Sequence, residues 1–294
     1  MSDTTASLSR KMGTAGDLQS VVRTMKAVAA SSITQYEHAV ASLDDYYRTV
    51  QLGLVACLRE IEHQPAPVSV KRKDNGPIAA LVFGSDQGLV GQFNDAIGDF
   101  VIKTLSGLAG QKTVWTAGER IRSRLMESDL VLGHSFTLPG SIGAITPLIG
   151  QILIDVEALR ETKETARIYI FYNSPHAGSN YSPTCQRMLP LDAVWQRDLS
   201  AMAWPTPILP EVMNDNHTTL LAFVREYVFV SLFRACAESL ASENASRLAA
   251  MQRAEKNINE LLEGLIRSFH RLRQSGIDEE LFDVISGFEA LARD

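Results

Sequence analysis

The sequence predicts an α/β protein in which two long terminal helices pair as an antiparallel coiled coil and a small α/β domain is inserted between them. Three observations predict it: the positions of the prolines, the spacing of apolar residues at both ends, and the alternation of segment types in the middle. All 11 prolines lie between Pro65 and Pro210. Because proline disrupts a helix interior by about 3 kcal/mol or more, each proline-free end can form one continuous helix.

Both ends carry apolar residues at helical spacing. In the N-terminal arm they recur every three or four residues from Leu18 to Ile61. In the C-terminal arm they extend from Leu221 to Leu272, and small residues at Ser239–Ser246 (SLASENAS) interrupt this apolar stripe. Helices over Leu8–Glu62 and Thr218–Leu291 would be about 80 Å and about 110 Å long, at about 1.5 Å per residue. Such lengths without internal caps favour a coiled coil, although two helices of an ordinary bundle stay open as an alternative.

The middle of the chain alternates between strand-like and helix-like segments. The strand-like segments are Ile78–Phe83, Thr113–Ala117 and Arg167–Tyr172, and the helical patterns are Phe93–Leu105, Glu119–Glu127 and Leu148–Leu159. Such alternation predicts a small α/β domain with a mostly parallel sheet. Proline-rich junctions place this domain at 65–210, between an N-terminal helix at 1–64 and a C-terminal helix at 211–294.

Composition excludes several classes of function. The net charge of -6 and the pI of about 5.6 argue against a nucleic-acid binder. No run approaches the roughly 18 uncharged apolar residues of a membrane span, and the first residues lack the apolar region of a secretory signal. The three cysteines and six histidines show no metal-ligand spacing. We therefore expect neither a metal nor a cofactor.

One glycine-rich stretch, GSDQGLVG from Gly84 to Gly91, follows a strand-like run and could hold a site. It lacks the lysine of a phosphate-binding loop and the full GxGxxG of a dinucleotide fold. An aspartate nucleophile at Asp86 is chemically possible, with His134 or His176 as the base of an α/β hydrolase. The competing interpretation is a tight turn that places Asp86 or Ser85 near a helix N-terminus.

Three segments together resemble the gamma subunit of F-type ATP synthases. They are RTMKAVAAS (Arg23–Ser31), GSDQGLVGQFN (Gly84–Asn94), and a C-terminal stretch that runs from SENASRLAAM at Ser242 to ISGFEAL at Leu291. The family motifs read approximately KAMxMVAASK, TSDRGLCGxxN and SExxARMxAM, in the same order. The likeness covers both ends and the start of the middle domain.

The resemblance implies a non-catalytic central-stalk rotor. In that family the two chain ends form an antiparallel coiled coil that turns inside a hexamer of alpha and beta subunits. A Rossmann-like domain at its foot sits on the c-ring beside the epsilon subunit. The expected partners are therefore alpha, beta, epsilon and the c-ring, on the cytoplasmic side of a bacterial inner membrane. The rivals are the hydrolase at Asp86 and an unrelated coiled-coil scaffold.

The resemblance also assigns roles to individual residues. It implies that Arg247, Gln274 and Asp278 contact beta-subunit loops, with Asp278 standing where the family usually has Thr. Ser85, Asp86, Gly88 and Gly91 become part of the foot loop. The start KMGTAGDLQSVV (Lys11–Val22) departs from the family's basic pattern and, like 146–206, shows no matching motif. These departures suggest a divergent branch, such as an alternative operon, and leave open whether the ring moves H⁺ or Na⁺.

Overall fold

A computed structural model describes residues 4–62, 76–162, 166–176, 180–191, 195, 197, 199, 201–208, 210 and 215–291 of the protein. The chain divides into two compact units. The terminal unit combines Met1–Ala29 with Leu248–Asp294, and the α/β unit spans Ala30–Arg247. Each unit contains part of both long helices, α1 (Thr5–Glu62) and α5 (Asn216–Leu291).

Within the residues that the structure describes, five strands and three shorter helices of the α/β unit have defined bounds. The strands are β1 (Ile78–Phe83), β2 (Lys112–Ala117), β3 (Val131–Phe136), β4 (Arg167–His176) and β5 (Asn180–Leu189). The helices are α2 (Phe93–Ser106), α3 (Glu119–Met126) and α4 (Ile145–Thr162), the last preceded by a single 3₁₀ turn at Ile142–Ala144. All three predicted strands and all three predicted helices are confirmed, with ends that agree to within four residues.

The strands form one sheet in the order β3-β2-β1-β4-β5. Strand β1 pairs in parallel with β2 and β4, and β2 pairs in parallel with β3. The last strand, β5, pairs antiparallel with β4 and closes one edge. The prediction of a mostly parallel sheet is therefore confirmed, while both edge strands, β3 and β5, were missed.

Two apolar clusters cover opposite faces of the sheet. Ile78, Ala80 and Val82 face α2 and α3, whereas Ala79, Leu81 and Phe83 face a larger cluster that includes residues of α1, α4 and α5. All six residues of β1 are buried, which is the expected state of a central parallel strand covered by helices on both sides. The long helices are thus part of the core of the α/β unit.

The two long helices run antiparallel in each unit. In the terminal unit, Lys26 forms an ion pair of 2.5 Å with Glu255, and Gln19 donates a hydrogen bond to Asn259. In the α/β unit, Asp44 pairs with Arg234 at 3.2 Å, and the Tyr46 hydroxyl donates to Glu226. In both places the residue number rises along α1 as it falls along α5. The predicted antiparallel arrangement of two long helices is confirmed.

Helix α4 is apolar enough to resemble a membrane span. The segment Ile142–Glu161 has a mean hydropathy of 1.6 and the length of a span, so the expectation that no segment approaches one needs correction. Its buried residues nevertheless lie in the cluster that covers the sheet, among them Ile145, Ile149 and Ile152. We therefore interpret it as a core helix of the α/β unit.

The three-part division of the chain stays a prediction. Its boundaries fall at 64–65 and 210–211, and residues 63–75, 209 and 211–214 lie outside the described part of the chain. The two compact units follow another division, because α1 and α5 each contribute to both of them. Residues 30–62 and 216–247 thereby belong with the sheet.

A bulky residue at Ala29 tests the packing of the terminal unit. Ala29 is 1% exposed, so Ala29→Trp should overpack the helix pair and lower the free energy of unfolding by about 1–3 kcal/mol. The neighbouring Ala27 is exposed, and Ala27→Trp is the matched control with an expected change within about 0.5 kcal/mol. Chemical denaturation followed by circular dichroism measures both, and equal losses would contradict this packing.

Candidate functional site

The glycine-rich loop between β1 and α2 is held by its own polar side chains. The Asn94 side chain accepts a hydrogen bond from the Ser85 backbone N–H at 3.0 Å and donates one to the Ser85 hydroxyl at 2.8 Å. Ser85 is fully buried and donates in turn to the Gln87 carbonyl. The serine and asparagine of the loop motif therefore fix the turn that leads from β1 into α2.

Two positions of the loop require glycine for physical reasons. A Cβ on Gly84 would lie 2.3 Å from the Cβ of Ile121, so only glycine lets β1 approach α3 this closely. Gly91 has a φ of 58°, in the left-handed region that glycine adopts without strain. Leu89 holds a φ of 63° and is 62% exposed. Its conformation is one that branched or bulky residues rarely adopt.

Asp86 is a structural acceptor. Its two carboxylate oxygens accept hydrogen bonds of 3.0 Å from the backbone N–H groups of Glu119 and Leu138. Glu119 is the first residue of α3, whose preceding residue Gly118 provides no side-chain cap. Asp86 therefore supplies the missing acceptor at a helix N-terminus, where a negative charge is also favourable. The turn interpretation is right, but the helix that Asp86 serves is α3.

The arrangement gives no support to an aspartate nucleophile. His134 pairs with Asp155 at 2.9 Å, and His176 lies within 2.8 Å of the Ser182 hydroxyl. Both histidines thus have other partners, and among the described residues neither pairs with Asp86. In the same part of the chain, no group of three or more His, Cys, Asp or Glu side chains could hold a metal ion.

An open cleft of about 400 Å³ lies beside the loop. Its lining includes Gly88, Leu89, Arg120 and Arg124. The guanidinium of Arg124 lies within 3.5 Å of carboxylate oxygens of Asp95, Asp99 and Glu127, so its positive charge is compensated. Because one of the two arginines is compensated and Asp95 also lines the cleft, the cleft lacks the concentrated positive charge of a nucleotide site.

Helix α5 carries buried polar side chains where it crosses the sheet. Ser242 donates to the Asn173 carbonyl at 2.9 Å, and Ser246 donates to the Val90 carbonyl of the glycine loop at 2.5 Å. Ser174 of β4 donates to Glu238 at 2.8 Å. Sequence reasoning missed these contacts, because it treated the small residues at 239–246 as interruptions of an apolar stripe. The spacing of four between Glu238, Ser242 and Ser246 was the available signal.

Arg247 is engaged within its own helix. It forms an ion pair of 2.5 Å with Glu243 and donates to Asn244, and its side chain is 14% exposed. Burial raises the pKa of Glu243 above its usual value, and the nearby charge of Asp86 raises it further, while Arg247 opposes both. The second oxygen of Glu243 has no hydrogen-bond partner among the described residues, which agrees with the raised pKa.

Gln274 and Asp278 lie on α5 in the terminal unit, and both are exposed. They are four residues apart and therefore lie on the same face of the helix. In the part of the chain that the structure describes, neither makes a hydrogen bond or an ion pair. The structure thus leaves both side chains accessible, whereas Arg247 belongs to the α/β unit with Ser85, Asp86, Gly88 and Gly91.

A family model described as ATP synthase matches residues 4–291. This chain belongs to the ATP synthase gamma family. A gamma chain of Polynucleobacter asymbioticus is 23% identical over 98% of this chain and 99% of its own length. One from a Wolbachia strain is 25% identical over 97% of this chain and 98% of its own length. The family resemblance of the sequence motifs is confirmed, and the chain is a non-catalytic stalk subunit.

Solved structures show the same fold. A chain of the Euglena gracilis mitochondrial ATP synthase, in a complex of OSCP, F1 and c-ring, matches with a TM-score of 0.67 at 16% identity. The match covers 98% of this chain and 94% of that chain. A central-stalk chain of the Tetrahymena thermophila enzyme matches with a TM-score of 0.57 at 19% identity, over 80% of this chain and 99% of its own length.

Removal of the Asp86 carboxylate should destabilise the fold. Asp86→Ala leaves two backbone N–H groups without their acceptor, so we expect a loss of about 1–3 kcal/mol in the free energy of unfolding. Asp86→Asn keeps one acceptor oxygen and should lose less. Asp99→Ala removes an exposed carboxylate that pairs with Arg124, and this control should change stability by at most about 1 kcal/mol. Urea denaturation measures all three; an unchanged Asp86→Ala variant would contradict the capping role.

The buried Glu243 should make stability depend on pH. Because its pKa in the folded chain lies above the ordinary value of about 4.5, its contribution is fully present below that pH and is lost as the pH rises through the folded pKa. Gln stays neutral at every pH. The difference in melting temperature, Glu243→Gln minus the natural chain, should therefore increase as the pH rises above about 4.5. The exposed Glu280→Gln is the control. A difference that does not change with pH would show that Glu243 titrates normally.

Proposed function

We propose that the chain is the rotor of the central stalk of an ATP synthase. The observation that carries this proposal is the family match over residues 4–291, which includes both long helices and the sheet. In this role the chain couples ion flow through the c-ring to ATP synthesis or hydrolysis in the alpha-beta hexamer. The nucleotide chemistry occurs in the hexamer, and this chain transmits torque.

Exposed apolar residues near the C-terminal end of α5 support a position of this helix inside a ring of other subunits. Five apolar side chains at 277, 281, 284, 285 and 288 recur at helical spacing and are 45–76% exposed. Exposed apolar stripes of this extent mark surfaces that another protein covers. The Euglena chain with the same fold comes from a complex with F1, which supports an alpha-beta hexamer as the cover.

The proposed foot is the part of the α/β unit that lies between the two long helices in the sequence. The Tetrahymena match comes from a central stalk and c-ring assembly, and this supports contacts of the foot with the c-ring and with epsilon. We assign the axle to 1–64 and 211–294 and the foot to 65–210. The complex is membrane-associated, and the similarity to gamma chains from Polynucleobacter and Wolbachia supports the cytoplasmic side of a bacterial inner membrane.

Gln274 and Asp278 are the proposed axle contacts to beta-subunit loops. Their exposure on one helix face supports this role, since both can form hydrogen bonds with a partner without breaking a bond within the chain. Arg247 remains a proposed contact as well. Its ion pair with Glu243 would have to be shared or broken when a beta loop approaches, so we expect it to contribute less than Gln274.

Reconstitution tests the proposal. The purified chain should show no hydrolysis of ATP, and addition of alpha and beta subunits from the same genome should yield ATPase activity. Affinity-tagged chain should capture both subunits from a co-expression. The hydrolase rival predicts turnover by the chain alone that Asp86→Asn abolishes, and the scaffold rival predicts no capture of either subunit.

Alanine variants test the axle contacts separately. Gln274→Ala and Asp278→Ala should each lower the ATPase rate of the reconstituted complex by about fivefold, and the double variant should lower it further, on the basis of about 1 kcal/mol for each lost hydrogen bond. The exposed Glu280 lies on another face of the same helix turn, and Glu280→Ala is the matched control. Equal rates for the double variant and the control would remove both residues from the set of contacts.

A further inference from the structure

Polar side chains of α5 recur every fourth residue along one face of the helix. Arg234 pairs with Asp44 of α1 and with Glu238, and Glu238 accepts a hydrogen bond from Ser174 of β4. Ser242 then donates to the Asn173 carbonyl, and Ser246 donates to the Val90 carbonyl. This i+4 row of side chains thus joins α5 in turn to α1, to β4 and to the glycine loop. We call this row, Arg234, Glu238, Ser242 and Ser246, the polar row.

The polar row is placed where apolar side chains would be the ordinary choice. Glu238, Ser242 and Ser246 are 6%, 0% and 8% exposed, on a stretch of α5 that is buried against the sheet. A buried polar group stabilises a fold little in net terms, and it is costly when its partner is missing. The row is therefore not explained by a gain in stability alone.

Directionality distinguishes the polar row from its apolar surroundings. Apolar contacts are non-directional and depend on buried area, so they resist the separation of a helix from a sheet more than its rotation about its own axis. A hydrogen bond weakens steeply when its angle departs from linear. The ion pair to α1, the two hydrogen bonds to β4 and the hydrogen bond to the glycine loop therefore fix both the rotation and the height of the helix.

The partners of the polar row are themselves held firmly. The Asn173 side chain is fully buried and donates to the Phe93 carbonyl at the start of α2. Val90 belongs to the glycine loop, which Asn94 and Asp86 tie to α2 and α3. A force that turns α5 is thus passed to the sheet, to α2 and to α3 together.

We propose that the polar row is a rotational key, which holds α5 at one angle and one height within the α/β unit while the chain carries torque. The residues are positioning residues, and they act through the orientation of α5. This inference rests on the proposed rotor function, because only a chain that is twisted under load needs such a key. It also assigns a mechanical role to the SENAS segment, from Ser242 to Ser246.

The experiment compares ATP-driven ion pumping with ATP hydrolysis in the complete synthase, reconstituted in lipid vesicles. Ser242→Ala and Ser246→Ala, singly and together, each leave a buried carbonyl without its donor. The ATPase rate should stay near that of the unsubstituted complex. The steady ion gradient of the double variant should fall to about half or less. The reason is that the weakened attachment of α5 to the sheet allows the helix to rotate when the opposing gradient applies load to the stalk.

Ser239→Ala is the matched control. Ser239 lies on the same helix segment and is 1% exposed, and its hydroxyl has no hydrogen-bond partner among the described residues. Loss of this hydroxyl should leave both the gradient and the ATPase rate unchanged. The control thus separates the removal of any buried serine from the removal of a bond to the sheet.

The ratio of gradient to ATPase rate decides the outcome, because it does not depend on how much complex assembles. If both single variants and the double variant build the same ion gradient as the unsubstituted complex, the proposed role of the polar row is wrong. A gradient and an ATPase rate that fall in proportion also overturn it, because the serines then act only in folding or assembly. If the unsubstituted chain supports no pumping with its partner subunits, the proposed rotor function fails, whatever the variants do.

Discussion

Burial of α5 against the central sheet is the constraint on which the rest of the α/β unit depends. The helix lies in the larger apolar cluster with residues of α1, α4 and the face of β1 that carries Leu81. Tyr227 and Cys236 of α5 are fully buried there, so the helix is a component of the core. Removal of α5 would uncover a large part of one face of a mostly parallel sheet, and such sheets are normally covered by helices on both faces.

The glycine-rich loop follows from the same constraint. Its Val90 carbonyl accepts the bond from Ser246, and its Asp86 binds the first N–H of α3. The close approach of Gly84 to Ile121 brings β1 and α3 together. A motif with the appearance of a phosphate site is therefore a junction at which a strand, two helices and α5 are tied by hydrogen bonds. The polar groups of this loop form their hydrogen bonds within the fold itself.

The two units differ in how they are stabilised, and the difference suits a stalk. The α/β unit holds nearly all of the buried aromatic and large aliphatic side chains, while the terminal unit buries mainly Leu8, Ala15, Ala29 and Met251. Because buried apolar area provides most of the free energy of folding, the terminal unit has less stabilisation of its own. In the proposed axle, we expect the surrounding subunits to supply the remainder.

The sequence by itself determined the long helices, the central strands and the family. Proline positions and apolar spacing are local signals, and long amphipathic helices and a fully buried strand such as β1 express them directly. The edge strands were not predictable in this way. Strand β3 (VLGHSF) has one buried residue of six, and β5 contains Pro183, which an edge strand tolerates. Their state depends on pairing with β2 and β4, which no local pattern encodes.

Tertiary structure alone decided what the polar residues do. The sequence placed Asp86 near a helix start, but only the fold shows that the helix is α3, 33 residues away along the chain. Ser242 and Ser246 looked like gaps in an apolar stripe until the carbonyls of Asn173 and Val90 were found opposite them. Hydrogen bonds between distant segments depend on the meeting of two groups in space. A single sequence carries the donor and the acceptor without carrying the distance between them.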